Sequence, residues 1–219
     1  MGMTFYKRGS TGAVVKQIQE ALFLLADGIY GAMTEDAVKI FQRENGLTVD
    51  GIVGPATLAK LIPLRLKKSK RKITEIIVHC SATPEGKDYT VDDIRRWHKQ
   101  RGYSDVGYHY IVYRNGQLVQ GRDVNIIGAH ASGHNAHSIG ICYIGGMNAE
   151  NTQPEDTRTL RQKARLLSLL VDLRKLYPNA RIIGHRDLSE DKNGNGIIEP
   201  SEWMKACPSF DAKSEYHRI

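Results

Sequence analysis

The stretch Ile73-Thr74-Glu75-Ile76-Ile77-Val78-His79 decides how the rest of the chain reads. It is short, apolar and rich in β-branched residues, as a strand buried on both faces must be. A second strand of the same kind, Arg181 to Gly184, also runs into a histidine, His185. Ser138 to Ile144 reads as a third strand. Tyr108 to Tyr113 and Gln117 to Gln120 flank Asn115-Gly116, a strong hairpin signal. Helices are expected at Thr90 to Arg101, with Ile94, Trp97 and His98 at i, i+3 and i+4, and at Pro154 to Tyr177. The second offers Leu160, Leu166, Leu167, Leu170, Val171 and Leu173 as core. Strands mixed with helices predict an α/β domain, a mixed central sheet flanked by helices, over residues 73–219. His79 and His185 then lie at strand ends, where ligands collect.

Those two histidines gain a third partner in Lys205-Ala206-Cys207-Pro208-Ser209-Phe210-Asp211. His79, His185 and Cys207 supply two imidazoles and a thiolate, which suits an open zinc site with a fourth position for water. Such a site polarises carbonyls and activates water. Taken alone, each residue has a plainer reading: a structural histidine, or a buried thiol acting as a small hydrophobe.

The first 63 residues carry a repeat. Asp27-Gly28-Ile29-Tyr30-Gly31-Ala32-Met33-Thr34 recurs as Asp50-Gly51-Ile52-Val53-Gly54-Pro55-Ala56-Thr57. Each copy is a Gly-rich turn feeding a helix, and Pro55 suits a first helical position. Val14, Val15, Ile18, Ala21, Leu22 and Leu25 recur at helical spacing, as do Ala37, Val38, Ile40 and Phe41. A small three-helix domain over residues 1–63 follows.

The net charge of +7 is unevenly placed. Residues 1–63 balance, whereas Leu64-Arg65-Leu66-Lys67-Lys68-Ser69-Lys70-Arg71-Lys72 holds six basic groups and no acid. Residues 64–72 read as a solvated basic linker, with contact to an anionic polymer as the alternative. No aromatic residue is interleaved with it, so nucleic acid is not an expected partner. Hydrophobic content of 41% and charge of 25% are ordinary for a globular protein, and no apolar run nears the roughly 18 residues of a membrane span. The start lacks a signal-peptide core, so synthesis in the cytoplasm is expected. No membrane partner is expected, and the chain is expected to be a monomer. Three cysteines are too few for a disulfide framework, and Cys80 and Cys142 read as buried hydrophobes.

Residues 73–211 resemble the type 2 family of zinc-dependent N-acetylmuramoyl-L-alanine amidases, in its T7 lysozyme-like branch. The likeness is carried by Val78-His79-Cys80-Ser81-Ala82-Thr83, Ile94-Arg95-Arg96-Trp97-His98-Lys99, Asp105-Val106-Gly107-Tyr108-His109, Gly121-Arg122-Asp123, Asn135 to Gly140, and Lys205 to Asp211. The resemblance implies zinc on His79, His185 and Cys207, and catalytic roles for Tyr108 and Lys205. It also implies substrate contacts from His130, Asn135 and His137. The implied reaction is hydrolysis of the amide between N-acetylmuramic acid and L-alanine, by a phage or prophage endolysin that reaches the wall after release. Core packing is the competing role for Tyr108, loop polarity for Asn135 and His137, and the proton acceptor is left open. The alternative for the whole chain is a non-catalytic peptidoglycan-recognition module. Residues 8–62 resemble the type 1 peptidoglycan-binding family, with its Phe-Gln and Gly-Leu pairs at Phe41-Gln42 and Gly46-Leu47. Bacterial peptidoglycan is the implied partner of both domains.

One segment departs from the T7-like pattern. Asp191-Lys192-Asn193-Gly194-Asn195-Gly196-Ile197-Ile198-Glu199-Pro200-Ser201-Glu202 fits an EF-hand loop. Asp191, Asn193, Asn195, Glu199 and Glu202, with the Ile197 carbonyl, are candidate calcium ligands. A metal-free polar turn is the alternative. Calcium would order the segment that carries Lys205 and Cys207.

Overall fold

The computed structural model describes residues 5–61, 64 and 66–219. The chain start, the last two residues of the expected first domain and Arg65 of the basic run lie outside the described residues. The chain divides into two compact units between residues 65 and 66.

The first unit holds helices α1 (Ala13–Ala21), α2 (Ala32–Glu44) and α3 (Pro55–Leu61). Val15, Ile18, Tyr30, Val38, Val53 and Leu61 form its core. The sequence repeat becomes a repeat of hydrogen bonds. Gln19 Nε2 donates to Asp27 Oδ1 (2.7 Å), the Ile29 carbonyl (3.1 Å) and Thr34 Oγ1 (3.2 Å), while its Oε1 accepts from Gly28 N (2.8 Å). Gln42 does the same with Asp50 (2.9 Å), Ile52 (3.0 Å), Thr57 (3.1 Å) and Gly51 N (2.9 Å). Each buried amide is thereby satisfied, and each locks a turn onto a helix. Gly28 (φ 79°) and Gly51 (φ 70°) take backbone conformations that a side chain would strain. Leu25, placed in the core by helical spacing, is exposed, because α1 has ended by Leu22.

In the second unit the strands are β1 (Glu75–Cys80), β2 (Thr83–Pro84), β3 (Tyr110–Val112), β4 (Leu118–Gln120), β5 (Ser138–Tyr143), β6 (Gly146–Met147) and β7 (Arg181–Gly184). The main sheet has the order β4-β3-β5-β1-β7, and β2 pairs with β6. β3, β5, β1 and β7 run parallel, and the hairpin strand β4 pairs antiparallel with β3. β1 lies near the middle and every one of its residues is buried. That is why its middle, Ile76-Ile77-Val78, is continuously apolar rather than alternating. The helices are α4 (Val91–Gln100), α5 (Leu160–Leu176) and the short α6 (Ala212–Glu215). No described helix is long and apolar enough to cross a membrane.

Three expectations need correction. The long helix starts at Leu160, not Pro154, because Thr159 caps it: its hydroxyl accepts from Gln162 N while Gln162 Oε1 accepts from Thr159 N. With that phase Leu166, Leu169, Leu170 and Leu173 face the core, whereas Leu160, Leu167 and Val171 face solvent. The basic linker is shorter than its charge suggests. Ser69 is buried, with its N–H on Tyr177 Oη (2.6 Å) and its hydroxyl on the Val124 carbonyl (2.7 Å). Arg71 donates to the carbonyls of Val124, Asn135, Ala136 and Ser138, so its guanidinium is a brace of the second unit.

Candidate metal centre and active site

β1 and β7 are adjacent parallel strands with Val78 opposite Gly184. Their carboxyl ends therefore deliver His79 and His185 side by side, ring centroids 4.7 Å apart at 72°. Cys207 arrives from a loop held on three sides. Arg186 N donates to the Cys207 carbonyl (2.8 Å), Tyr143 Oη to the Pro208 carbonyl (2.7 Å) and Ser209 Oγ to the Gly146 carbonyl (2.8 Å). Gly184 makes this approach possible, since a Cβ there would stand 2.6 Å from Pro208 Cδ. The outcome is one ligand atom each from His79, His185 and Cys207, all within 4.8 Å of one another.

The donor atoms are specified by their neighbours. His79 Nδ1 faces Cys207 Sγ at 3.7 Å, while its Nε2 lies 3.1 Å from His130 Nδ1. With Nδ1 on a metal, Nε2 carries the proton and donates to His130, whose Nε2 reaches Ser138 Oγ at 3.4 Å. Burial, and then the charges of His130, His185 and Lys205, hold His79 well below the usual imidazole range. Burial and Lys205 hold His185 at about 4. Both rings are therefore neutral at neutral pH, the state a metal ligand requires. Cys207 Sγ accepts from Cys80 N at 3.3 Å. Without a cation, the Cys80 contact and burial push the Cys207 thiol well up; a bound dication reverses that balance. Two neutral imidazoles and a thiol that needs a cation to ionise fit an open Zn2+ site.

Tyr108 is partly buried against the core cluster that holds Val106, Ile111 and Cys142, and its ring centroid lies 5.2 Å from that of His79. Burial raises its phenol far above the usual range, so it keeps its proton. The turn before it is fixed by His98 Nδ1, which accepts from Gly107 N at 2.9 Å. A Cβ at Gly107 would sit 2.2 Å from the Ala129 carbonyl oxygen. Lys205 is exposed, yet its charge reaches both His79 and His185. His109 is structural: Nδ1 accepts from Gly140 N (2.9 Å), Nε2–H faces the Ile126 carbonyl (3.1 Å), and burial brings its pKa to about 4.

His130, Asn135 and His137, expected at a substrate groove, all have partners within the domain. His130 backs His79. Asn135 Oδ1 accepts from His130 N and Ala131 N, both at 2.9 Å, and so holds the loop that presents His130. His137 Nε2 lies 3.4 Å from Glu75 Oε2. Sequence reasoning missed both the backing role of His130 and a second gathering of ligand-type groups, Glu75 with His134 and His137. A carboxylate inside an otherwise apolar buried strand was the available signal for the latter.

The Asp191–Glu202 segment folds onto its own amides. Asp191 accepts from Gly194 N and Gly196 N, each at 2.7 Å, and Asn193 and Asn195 accept from the amides two residues on. Glu202 accepts from Lys192 N, Asn193 N and Glu199 N. Among the described residues its carboxylates are not gathered as a three-ligand group.

The sheet and its rim define a class: α/β proteins with an open two-histidine, one-cysteine site at the carboxyl ends of parallel strands. Residues 69–209 match the model of the N-acetylmuramoyl-L-alanine amidase family, and the chain belongs to that family. Residues 11–61 match the model of a peptidoglycan binding domain. The endolysin of Klebsiella phage KP32 is 40% identical over 144 residues, covering 66% of this chain and 85% of that one. The endolysin of Escherichia phage T7 is 39% identical over 150 residues, covering 68% and 89%. Among solved structures, an N-acetylmuramoyl-L-alanine amidase from Clostridium intestinale superposes with a TM-score of 0.50 at 24% identity, over 69% of this chain and 90% of that one. That likeness speaks to the fold alone. As a family member with a wall-binding unit, the chain is a peptidoglycan hydrolase.

Proposed function

We propose that this chain is a zinc-dependent N-acetylmuramoyl-L-alanine amidase acting as a phage or prophage endolysin. It hydrolyses the amide that joins the lactyl group of N-acetylmuramic acid to L-alanine, with residues 11–61 holding the wall. The observation that carries this reading is the convergence of His79, His185 and Cys207 beside Tyr108 in a member of the amidase family. Zinc held by those three residues supplies a Lewis acid for the scissile carbonyl and acidifies water. His79 is oriented by His130, so that Nδ1 and not Nε2 is presented. Attack on the amide carbon places negative charge on the carbonyl oxygen. The Lys205 ammonium stabilises that charge, and the protonated Tyr108 phenol donates a hydrogen bond to it. The protein works as a monomer and meets its substrate after release from the cytoplasm.

Calcium at Asp191–Glu202 is a separate proposal, supported by the order of oxygen-bearing residues and by a buried Glu202 at the last loop position. Its test is melting in calcium against melting in chelator with zinc held constant; identical curves remove it. The amidase reading is tested by digesting purified peptidoglycan and sequencing the products by mass spectrometry. Free stem peptides beginning with L-alanine are expected. Muropeptides that keep their lactyl–alanine linkage and are cut elsewhere would overturn it.

A further inference from the structure

β1 carries a second group of ligand-type residues at its other end. Glu75 opens the strand and His79 lies four residues on, so the two positions are about 13 Å apart along the strand. Glu75 is 3% exposed, and its two oxygens have different surroundings. Oε1 is held by Arg181, its register partner on β7. Oε2 faces two imidazoles, His134 Nδ1 at 2.8 Å and His137 Nε2 at 3.4 Å. These three atoms lie within 4.8 Å of one another.

The local backbone explains the convergence. His134 caps a single 3-10 turn, Asn135–His137, and His137 N donates to the His134 carbonyl. In a 3-10 helix, side chains three apart eclipse, so both rings leave on the same side. Thr74 N then donates to the His137 carbonyl (2.9 Å), which ties that turn to the start of β1. The His134 and His137 side chains are partly exposed, at 32% and 40%, which leaves a route for an ion and a place for water.

We propose that Glu75, His134 and His137 form a second binding site for a zinc-type divalent transition metal. Two imidazoles and one carboxylate are a donor set that such ions accept, with water completing the shell. Bonds of about 2.0–2.1 Å give tetrahedral ligand–ligand edges near 3.4 Å; the His137 contact of 3.4 Å matches that spacing, and the His134 hydrogen bond of 2.8 Å would lengthen by a small side-chain shift to admit an ion. Arg181 takes one carboxylate oxygen, so Glu75 serves as a monodentate ligand through the other, where an ion would replace its hydrogen bond with His134. The hydrogen bonds from His134 and Arg181 outweigh its burial and hold its carboxyl below the usual range, which keeps it an anion. An ion here clamps the 130–138 loop, and with it His130, to the strand that carries His79. The site differs from the first in having no sulfur ligand.

The test is metal stoichiometry on the full chain by equilibrium dialysis against zinc, read by atomic emission. Wild type is expected to hold two equivalents, Cys207→Ser one, Glu75→Gln with His137→Ala one, and the combination none. Cobalt gives a second readout independent of hydrolysis. The Cys207-bearing site shows thiolate-to-cobalt absorption, which Cys207→Ser removes, whereas the Glu75 site binds cobalt without that band. Melting curves of each variant confirm folding, and Glu75→Gln alone serves where the double variant does not fold. A single equivalent in wild type, or a second equivalent that survives loss of Glu75 and His137, would overturn the proposal. Neither result depends on which bond the enzyme cuts.

Discussion

At the carboxyl end of β1, His79 meets another imidazole and a thiol; at the amino end, Glu75 meets two imidazoles and a guanidinium. The first group holds no carboxylate, and burial keeps its imidazoles neutral, so it has no internal ion pair and, on the proposed function, its cation would be the zinc it binds. The second is already compensated by Arg181, so an ion there supplements an existing ion pair. The difference is one of consequence. On the proposals above, losing a ligand from the carboxyl end should remove chemistry, while losing one from the amino end should remove a clamp.

The largest effect that would break this contrast is at Cys207. Cys207→Ser is expected to lower amidase turnover by more than about a thousand-fold, beyond the 10²–10³ typical of a single oxyanion donor. Zinc content should fall in step; a variant that loses turnover yet keeps both zinc equivalents would move Cys207 out of the ligand set. Lys205→Ala is next, at roughly a hundred-fold in kcat with metal content unchanged. If Lys205→Ala altered KM alone, its role would be substrate binding. His130→Ala should weaken zinc by about 10–100-fold and depress activity only at limiting zinc, as loss of an orienting hydrogen bond does. Equal loss at saturating zinc would place His130 in the chemistry itself.

Acid separates the two ends by pH. His185 and His109 have folded values near 4 against an ordinary 6.5. Between those values the unfolded chain binds more protons than the folded one, so their contribution to stability is lost as pH falls from 6.5 toward 4. Glu75 is depressed below 4.5, so its contribution is present above 4.5 and is lost only at lower pH. Melting temperature should therefore begin to drop near pH 6.5, and Arg181→Gln should lower it chiefly above pH 5, with the difference from wild type shrinking at lower pH. A curve flat from pH 7 to 5 would contradict the burial of neutral imidazoles.

Much of the carboxyl end was legible in the sequence. A β-branched run ending in histidine says both where a buried strand stops and what it presents there, and it says so twice, at His79 and His185. Cys207 became legible through its neighbours Lys205 and Pro208. The amino end was not legible. Glu75 is one charged residue within an apolar run, and the histidines that meet it lie 59 and 62 positions away in a Gly-rich loop. Only the parallel pairing of β1 with β5 sets that loop beside the start of β1. The same limit applied to His130, whose role depends on which nitrogen of His79 faces Cys207. At Pro154–Arg158, helical periodicity ran past the true start, because the Thr159–Gln162 capping box is a stronger boundary than the pattern of leucines. At Ser69 and Arg71, charge suggested solvent, whereas the guanidinium found four carbonyls.

Whether the His79–His185–Cys207 group is a zinc site that cleaves the lactyl–alanine amide can be read most directly by stripping the protein of metal and restoring zinc one equivalent at a time while stem-peptide release is measured. No release is expected from the metal-free protein, with recovery on adding zinc that does not occur in Cys207→Ser. Full release of L-alanine-terminated peptides by the stripped protein, or recovery in Cys207→Ser equal to wild type, would contradict that assignment.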